Sequence, residues 1–163
     1  MADGKRIGGV VVALVTDVDD PESLGRVKVR FPWLADEPES NWCRVATPLA
    51  GPEHGLYFAP EIDSEALVAF EQGDFSNPYI VGYLWNGDTT LPEAELQQRT
   101  LKSVTGNVIV LDDRDGSEGI TITDKHGNSI VMNKDGIEIK GKKITITSDS
   151  ELKAVGNPIN LNP

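Results

Sequence analysis

The 163 residues include one cysteine, two histidines and two methionines, and aromatic side chains make up only 6% of them. Each scarcity excludes something. With Cys43 alone there is no intrachain disulfide, and a reducing compartment of synthesis is expected. His54 and His126 stand far apart with no cysteine cluster beside them, so no zinc-type spacing exists. No run approaches the roughly 20 apolar residues of a membrane-spanning helix. Met1-Ala-Asp-Gly-Lys-Arg6 is charged but followed by only a short apolar run, so no signal peptide is read and synthesis in the cytoplasm is expected. Cations are also short: 15 Lys and Arg face 26 Asp and Glu, for a net charge of −11. Residues 1–90 hold 15 acids and 6 bases, net −9; residues 91–163 hold 11 and 9, net −2. Such a surface repels phosphate backbones, and no nucleic-acid partner is expected.

Catalytic patterns are missing too. The chain has no G-x-S-x-G, no H-E-x-x-H and no phosphate-cradling glycine loop. Ser150-Glu-Leu-Lys153 matches S-x-x-K without the motifs that accompany it in enzymes. Among 26 acids chance carboxylate pairs are unavoidable, so they do not indicate glycoside cleavage. Asp112-Asp-Arg-Asp-Gly-Ser-Glu118 lacks the ligand spacing of a calcium loop and reads as a solvated turn. No enzyme, no metal and no cofactor are expected.

The last third carries a stack of short aliphatic ladders. Val108-Ile-Val-Leu111, Ile120-Thr-Ile122, Ile130-Val-Met132, Ile137-Glu-Ile139 and Ile144-Thr-Ile146 follow one another, separated by polar, mostly glycine-containing breaks. Alternation at period two makes each rung a strand with one apolar face, and the breaks are turns. A rung offers only two or three side chains to a core, so a single ladder cannot bury enough to fold alone. Stacking of several chains would cover the apolar face and remove sheet edges; a monomeric β-meander packed on the preceding domain is the alternative.

Residues 7–88 read as a compact β domain. Strands are expected at Gly9–Thr16, Arg26–Phe31, Asn41–Ala46, Ala66–Phe70 and Tyr79–Trp85. In the second, Val27, Val29 and Phe31 point inward and Arg26, Lys28 and Arg30 form a solvated basic stripe, or one that pairs with acids of a partner. Five short strands with a long connection over 47–64 fit a small Greek-key barrel of the OB type. Trp33, Trp42 and Trp85 are read as packing residues rather than base-stacking platforms, given the charge of the domain. Residues 89–103, with Leu91-Pro-Glu-Ala-Glu-Leu-Gln-Gln-Arg99, read as one helical turn or an extended linker.

A resemblance now appears. Gly9-Val-Val-Val, then Thr16-Asp-Val-Asp-Asp-Pro-Glu-Ser-Leu-Gly-Arg-Val-Lys-Val-Arg-Phe-Pro-Trp-Leu34, resembles the opening of the spike-protein OB domain. That family comprises phage baseplate assembly protein V and the VgrG proteins of type VI secretion. Ser40-Asn-Trp-Cys-Arg-Val-Ala-Thr-Pro48, Gly55-Leu-Tyr-Phe-Ala-Pro60, Glu65–Asp74 and Pro78-Tyr-Ile-Val-Gly-Tyr-Leu-Trp-Asn-Gly87 continue it in order.

The resemblance implies an all-β chain: an OB-fold barrel over 1–88, a linker over 89–103, and an intertwined trimeric β-helix with a tip platform over 104–163. It implies a homotrimeric, non-enzymatic central spike, seated on a baseplate hub protein and meeting the target membrane mechanically. Ile120, Ile122, Ile130, Ile137, Ile139, Ile144 and Ile146 would line the trimer core. Some phage spikes end in a His-x-His pair that holds an iron tip; this sequence has none, which implies a separate PAAR-type tip protein. Ile159, Asn160, Leu161 and Asn162 would contact it by backbone pairing and apolar packing. Some relatives place a lysozyme domain between barrel and needle, and the short connector leaves no room for one. Lacking the large hub domain that VgrG proteins carry first, the chain looks closer to the phage-type arrangement. The rival readings are a nucleic-acid-binding OB protein and a carbohydrate-active β-helix enzyme.

Overall fold

The computed structural model describes residues 6–87, 90–92 and 95–160. The chain divides into two compact units, Met1–Thr90 and Leu91–Pro163.

In the first unit, alternation of side chains builds a curled, OB-like half-barrel. Its strands are β1 (Val10–Asp17), β2 (Lys28–Arg30), β3 (Arg44–Val45), β6 (Glu65–Phe70) and β7 (Pro78–Tyr83). They pair in the order β2-β1-β6-β7-β3, antiparallel except for the parallel β3–β7 pair. The two outer strands are stitched by an antiparallel bridge between Val27 and Cys43, with N···O distances of 3.1 and 2.7 Å. Inward residues of every strand meet in one core: Ala13, Val15, Val27, Val29, Phe31, Cys43, Ala66, Val68, Phe70 and Ile80. Val29, Phe31 and Ile80 are fully buried. Phe31 is the hub of the aromatic contacts, with ring centroids 5.0 Å from Phe75, 5.8 Å from Phe70 and 5.9 Å from Trp33.

The inward set Val27, Val29, Phe31 is the one that alternation required, but β2 is shorter than the Arg26–Phe31 expected. Its first residue is held elsewhere. The Arg26 backbone N–H donates to Asp20 at 3.2 Å, and its guanidinium donates through Nε at 3.0 Å and Nη2 at 2.7 Å to the same carboxylate. Asp20 also accepts the N–H groups of Glu22 and Leu24, so one buried carboxylate shapes the whole 20–26 turn. The Arg26 hydrogen bond is the main reason its carboxyl lies well below the usual carboxylate range. The connection over 47–64 contains a hairpin of β4 (Ala50–Gly51) and β5 (His54–Gly55). Gly55 is required there, because a Cβ would stand 2.6 Å from the Leu49 carbonyl oxygen.

In the second unit, β8 (Gln98–Lys102), β9 (Val108–Asp112), β10 (Gly119–Thr123), β11 (Ser129–Asn133) and β12 (Gly136–Lys140) form one antiparallel sheet in chain order. Two sequence expectations are corrected here. The stretch read as a connector contains β8, whose Gln98–Lys102 pair with Val108–Asp112. The fifth rung, Ile144-Thr-Ile146, is not a strand of this sheet. Among the described residues, no backbone–backbone hydrogen bond involves 143–160. The pattern is right for a strand, but a strand exists only against a neighbour, and none of the described residues supplies one.

The turns are held by local carboxylate and amide caps. Asp124 accepts the N–H groups of His126 and Asn128, and Asp112 binds Arg114 at 2.7 Å and Gln98 at 2.7 Å. The acidic turn Asp112–Glu118 is thus a paired structural turn. Among the described residues, no three His, Cys, Asp or Glu side chains are grouped to hold a metal ion.

Candidate assembly face

The register of the second unit places two apolar rows on one face. Pairing runs Arg99–Leu111–Ile120–Met132–Ile137 across the sheet, and Leu101–Ile109–Ile122–Ile130–Ile139 one pleat along. Nine of these ten positions are apolar. The opposite face carries Thr100, Val110, Thr121, Val131 and Glu138 on the corresponding row, so the two faces differ sharply. Glycine 119 at the start of β10 keeps the strands close, since a Cβ would lie 2.6 Å from the Met132 carbonyl oxygen.

This apolar face is uncovered in the single chain. Ile120, Ile122 and Ile130 are 37–39% exposed, and exposure rises along the sheet to 71% at Ile137 and 56% at Ile139. No described residue of the second unit is fully buried. Covering the eight exposed aliphatic side chains, each about half exposed, would contribute on the order of 6–12 kcal/mol per chain. A contiguous apolar patch of this kind marks an interaction surface. Arg99 interrupts the first row at the β8 edge and is paired with Asp113.

The structure therefore brings together five of the seven isoleucines named from sequence: Ile120, Ile122, Ile130, Ile137 and Ile139 share one face. Ile144 and Ile146 follow at 53% and 68% exposure, outside the paired sheet. Leu101, Ile109 and Leu111 belong to the same rows and were not named. Leu101 was missed because its strand sits in a polar stretch, while Ile109 and Leu111 carry the same period-two signal as the named set. Of the tip residues, Ile159 is 49% exposed and Asn160 is exposed; Leu161 and Asn162 lie outside the described residues.

In the first unit the tryptophans and the basic stripe singled out from sequence take the following places. Trp33 donates its indole N–H to the Val12 carbonyl at 3.0 Å. Trp42 lies under two cations, Arg26 at 6.0 Å and Lys28 at 5.2 Å, while Trp85 is 63% exposed. The basic stripe is paired within the chain: Arg26 with Asp20, Lys28 with Glu39 at 3.1 Å, and Arg30 with Glu37 at 2.5 Å. Cys43 is buried against the Ser40 hydroxyl, and burial pushes its thiol up, which makes it unreactive.

Two family models match these two units in order. Residues 11–85 match the type VI secretion system/phage-baseplate injector OB domain, and residues 98–155 match the phage baseplate V C-terminal trimerisation domain. The second match begins where β8 begins. The chain belongs to the phage baseplate V/VgrG-type spike family. It is 32% identical over 133 residues to the type VI secretion system spike protein VgrG3 of Vibrio cholerae, covering 72% of this chain and 13% of that protein. It is 30% identical over 143 residues to the spike protein VgrG1b of Pseudomonas aeruginosa, covering 78% of this chain and 19% of that one. The actin cross-linking toxin VgrG1 of Vibrio cholerae matches over 94% of this chain at 27% identity, within 16% of its own length. The chain thus spans 13–19% of these relatives. The two matched domains and these relatives give this chain a structural, spike-like role in a contractile injection system.

Proposed function

We propose that three copies of this chain close about one axis through the Ile face of β8–β12 to form the needle of a central spike, with the OB-like units forming its base. The observation that carries this is the ten-position face, apolar but for Arg99, in register across five strands and uncovered in a single chain. A match to a trimerisation domain supports the number of copies. In the trimer, Ile144 and Ile146 would find in neighbouring chains the strand partners that no described residue of their own chain supplies, so the fifth rung would form on assembly. The sheets become an intertwined β-helix, and each first unit, whose outer strands already meet within the chain, is an OB barrel.

The mechanism is mechanical. Sheath contraction, performed by other proteins, drives the spike from a baseplate hub protein through the target membrane. A paired, cross-stitched sheet resists shear because many hydrogen bonds must break together. No nucleic acid and no cofactor take part. Ile159, Asn160, Leu161 and Asn162 would form a blunt platform for a PAAR-type tip protein. The chain is made in the cytoplasm and assembles into the baseplate of a phage tail or phage-tail-like particle.

Native mass measurement of the purified chain tests the central claim: a trimer is expected, and a monomer at micromolar concentration refutes it. For the tip, deletion of residues 157–163 is expected to abolish binding of a PAAR protein while leaving the trimer intact; unchanged binding defeats that assignment.

A further inference from the structure

The first unit carries a cleft that neither its core nor its ion pairs explain. Its volume is about 1010 Å³, the upper end of the roughly 300–1,000 Å³ usual for ligand sites. The turn before β2, strand β3 and the arm over 47–60, which carries β4 and β5, enclose it, with Tyr83 at the end of β7. In OB folds generally, the face of strands two and three, with the loop between strands one and two, holds oligonucleotides and oligosaccharides. Here Val27, Trp42 and Arg44 come from those strands or their ends, and Leu24, Gly25 and Arg26 from that loop. Position is an analogy of fold; the chemistry of the lining selects the ligand.

The arm is ordered. Leu56 N–H donates to the Leu49 carbonyl at 3.0 Å, and Thr47 Oγ1 donates to the Leu56 carbonyl at 2.6 Å. Tyr57 reaches from it to Gly25, where a Cβ would stand 3.1 Å from the Tyr57 Cε2 atom. The bare glycine thus seats one edge of a ring that is otherwise 73% exposed. A held, exposed aromatic ring is a stacking platform whose ordering cost is already met by the fold. Several polar groups of the lining are engaged: Arg26 by Asp20, Thr47 by Leu56, and His54 Nδ1 by the Pro52 carbonyl at 2.8 Å. Three are not. Among the described residues, the Arg44 guanidinium and the Tyr57 and Tyr83 hydroxyls have no hydrogen-bond or ion-pair partner, and Arg44 only stands over the Tyr79 ring at 5.8 Å. Burial, then Cys43 and Tyr57, push the Tyr83 hydroxyl up to about 12, so it keeps its proton to donate.

We propose that this cleft binds an uncharged oligosaccharide, with Tyr57 stacked on one sugar ring and Arg44 and Tyr83 bonded to its hydroxyls. Sugars combine an apolar C–H face with a rim of hydroxyls, which is what an aromatic platform beside unspent donors recognises. Two other polymers fit less well. Residues 1–90 carry net −9, which repels the phosphate chain of a nucleic acid. A peptide would add to an open strand edge, but β3 is flanked on both sides, by β7 and by the Val27–Cys43 bridge. Glu53 is the one carboxylate among the lining residues, so the pair needed for glycoside cleavage is missing and the site holds its ligand unchanged. The site lies within one first unit and does not depend on the three-copy reading.

The test titrates the full chain with chitohexaose, cellohexaose and maltohexaose to millimolar concentration, followed by calorimetry. Saturable binding of at least one is expected. Tyr57→Ala should weaken it by about tenfold or more, as loss of a central aromatic anchor does, and Arg44→Gln by severalfold. Trp85→Ala should leave it unchanged, because Trp85 is exposed but does not line the cleft. Native mass and the thermal midpoint of the first unit, measured on every variant, report folding and copy number separately from binding. Absence of saturable binding by all three sugars overturns the proposal. So does an equal loss in Trp85→Ala and Tyr57→Ala. Capture of an alternating Glu-Leu decapeptide in place of any sugar overturns it in favour of a peptide site, with the needle reading untouched.

Discussion

The two units use the same strand grammar and reach opposite ends. In the first, inward residues of five strands converge on ten buried hydrophobic side chains, because the sheet curls and its outer strands meet at Val27 and Cys43. In the second, five strands of similar composition lie side by side without curling onto themselves, and no described side chain is fully buried. Period-two alternation is therefore a statement about which face wants covering, not about what covers it. The first unit answers from within its own chain. The second leaves its apolar face uncovered, and on the proposed reading other copies cover it, so that its stability would depend on assembly.

The largest way to break this contrast is a charge in the open face. Ile122 sits mid-row between Ile109 and Ile130. Ile122→Asp would place three carboxylates at one level of the closed needle, each costing several kcal/mol without a partner. The expected result is loss of the trimer by light scattering, with the first unit still folded by its own thermal transition. A stable trimer in this variant would refute the packing of the face.

The converse break removes the first unit's internal core. Phe31 is fully buried among Phe70, Phe75 and Trp33. Phe31→Ala is expected to cost about 3–5 kcal/mol, enough to unfold or nearly unfold that unit. Because the second unit does not depend on this core, the trimer should persist by native mass. Loss of both together would show that the units are not independent in the way their cores suggest.

What was legible in the sequence follows the same division. Inward Val27, Val29 and Phe31, and the shared face of Ile120, Ile122, Ile130, Ile137 and Ile139, were readable because alternation is a local property. β8 was not, since Gln98-Arg-Thr-Leu-Lys102 carries one aliphatic residue and becomes a strand only by pairing with β9. The rung at Ile144–Ile146 erred in the other direction: its pattern is clear, but no described residue of the chain pairs with it. Asp20 was invisible as well. Nothing in Asp19-Asp-Pro-Glu-Ser23 distinguishes the carboxylate that will fold back on Arg26 from its solvated neighbour.

Acid should sharpen the comparison more gently. The Arg26 hydrogen bond holds the Asp20 carboxyl below its ordinary range, so its contribution is complete above the unfolded value near about pH 4 and is lost as pH falls below it. In the second unit, Arg114 and then Gln98 lower Asp112, and Asn128 lowers Asp124, with the same sign. Both units should therefore lose stability in the same acidic window. Asp20→Asn should flatten that dependence in the first unit only, read from its thermal midpoint between neutral pH and about pH 2. An equal flattening in both units would contradict the assignment.

The smallest expected effect concerns the basic stripe. Lys28 and Arg30 meet Glu39 and Glu37 of their own chain, at partly exposed positions of 28–35% for the cations and 47–53% for the acids. Solvent screens such pairs, so Arg30→Gln should change the stability of the first unit by no more than about 0.5–1 kcal/mol. The aliphatic stem of Arg30 covers little that Gln would leave bare, since Val29 and Phe31 point the other way. The same variant separates the two readings of the stripe. If its charges are neutralised within the chain, Arg30→Gln should leave binding to a baseplate hub unchanged. A clear loss of hub binding, with the thermal midpoint of the first unit unmoved, would mean that Glu37 gives way to an acid of the partner on assembly.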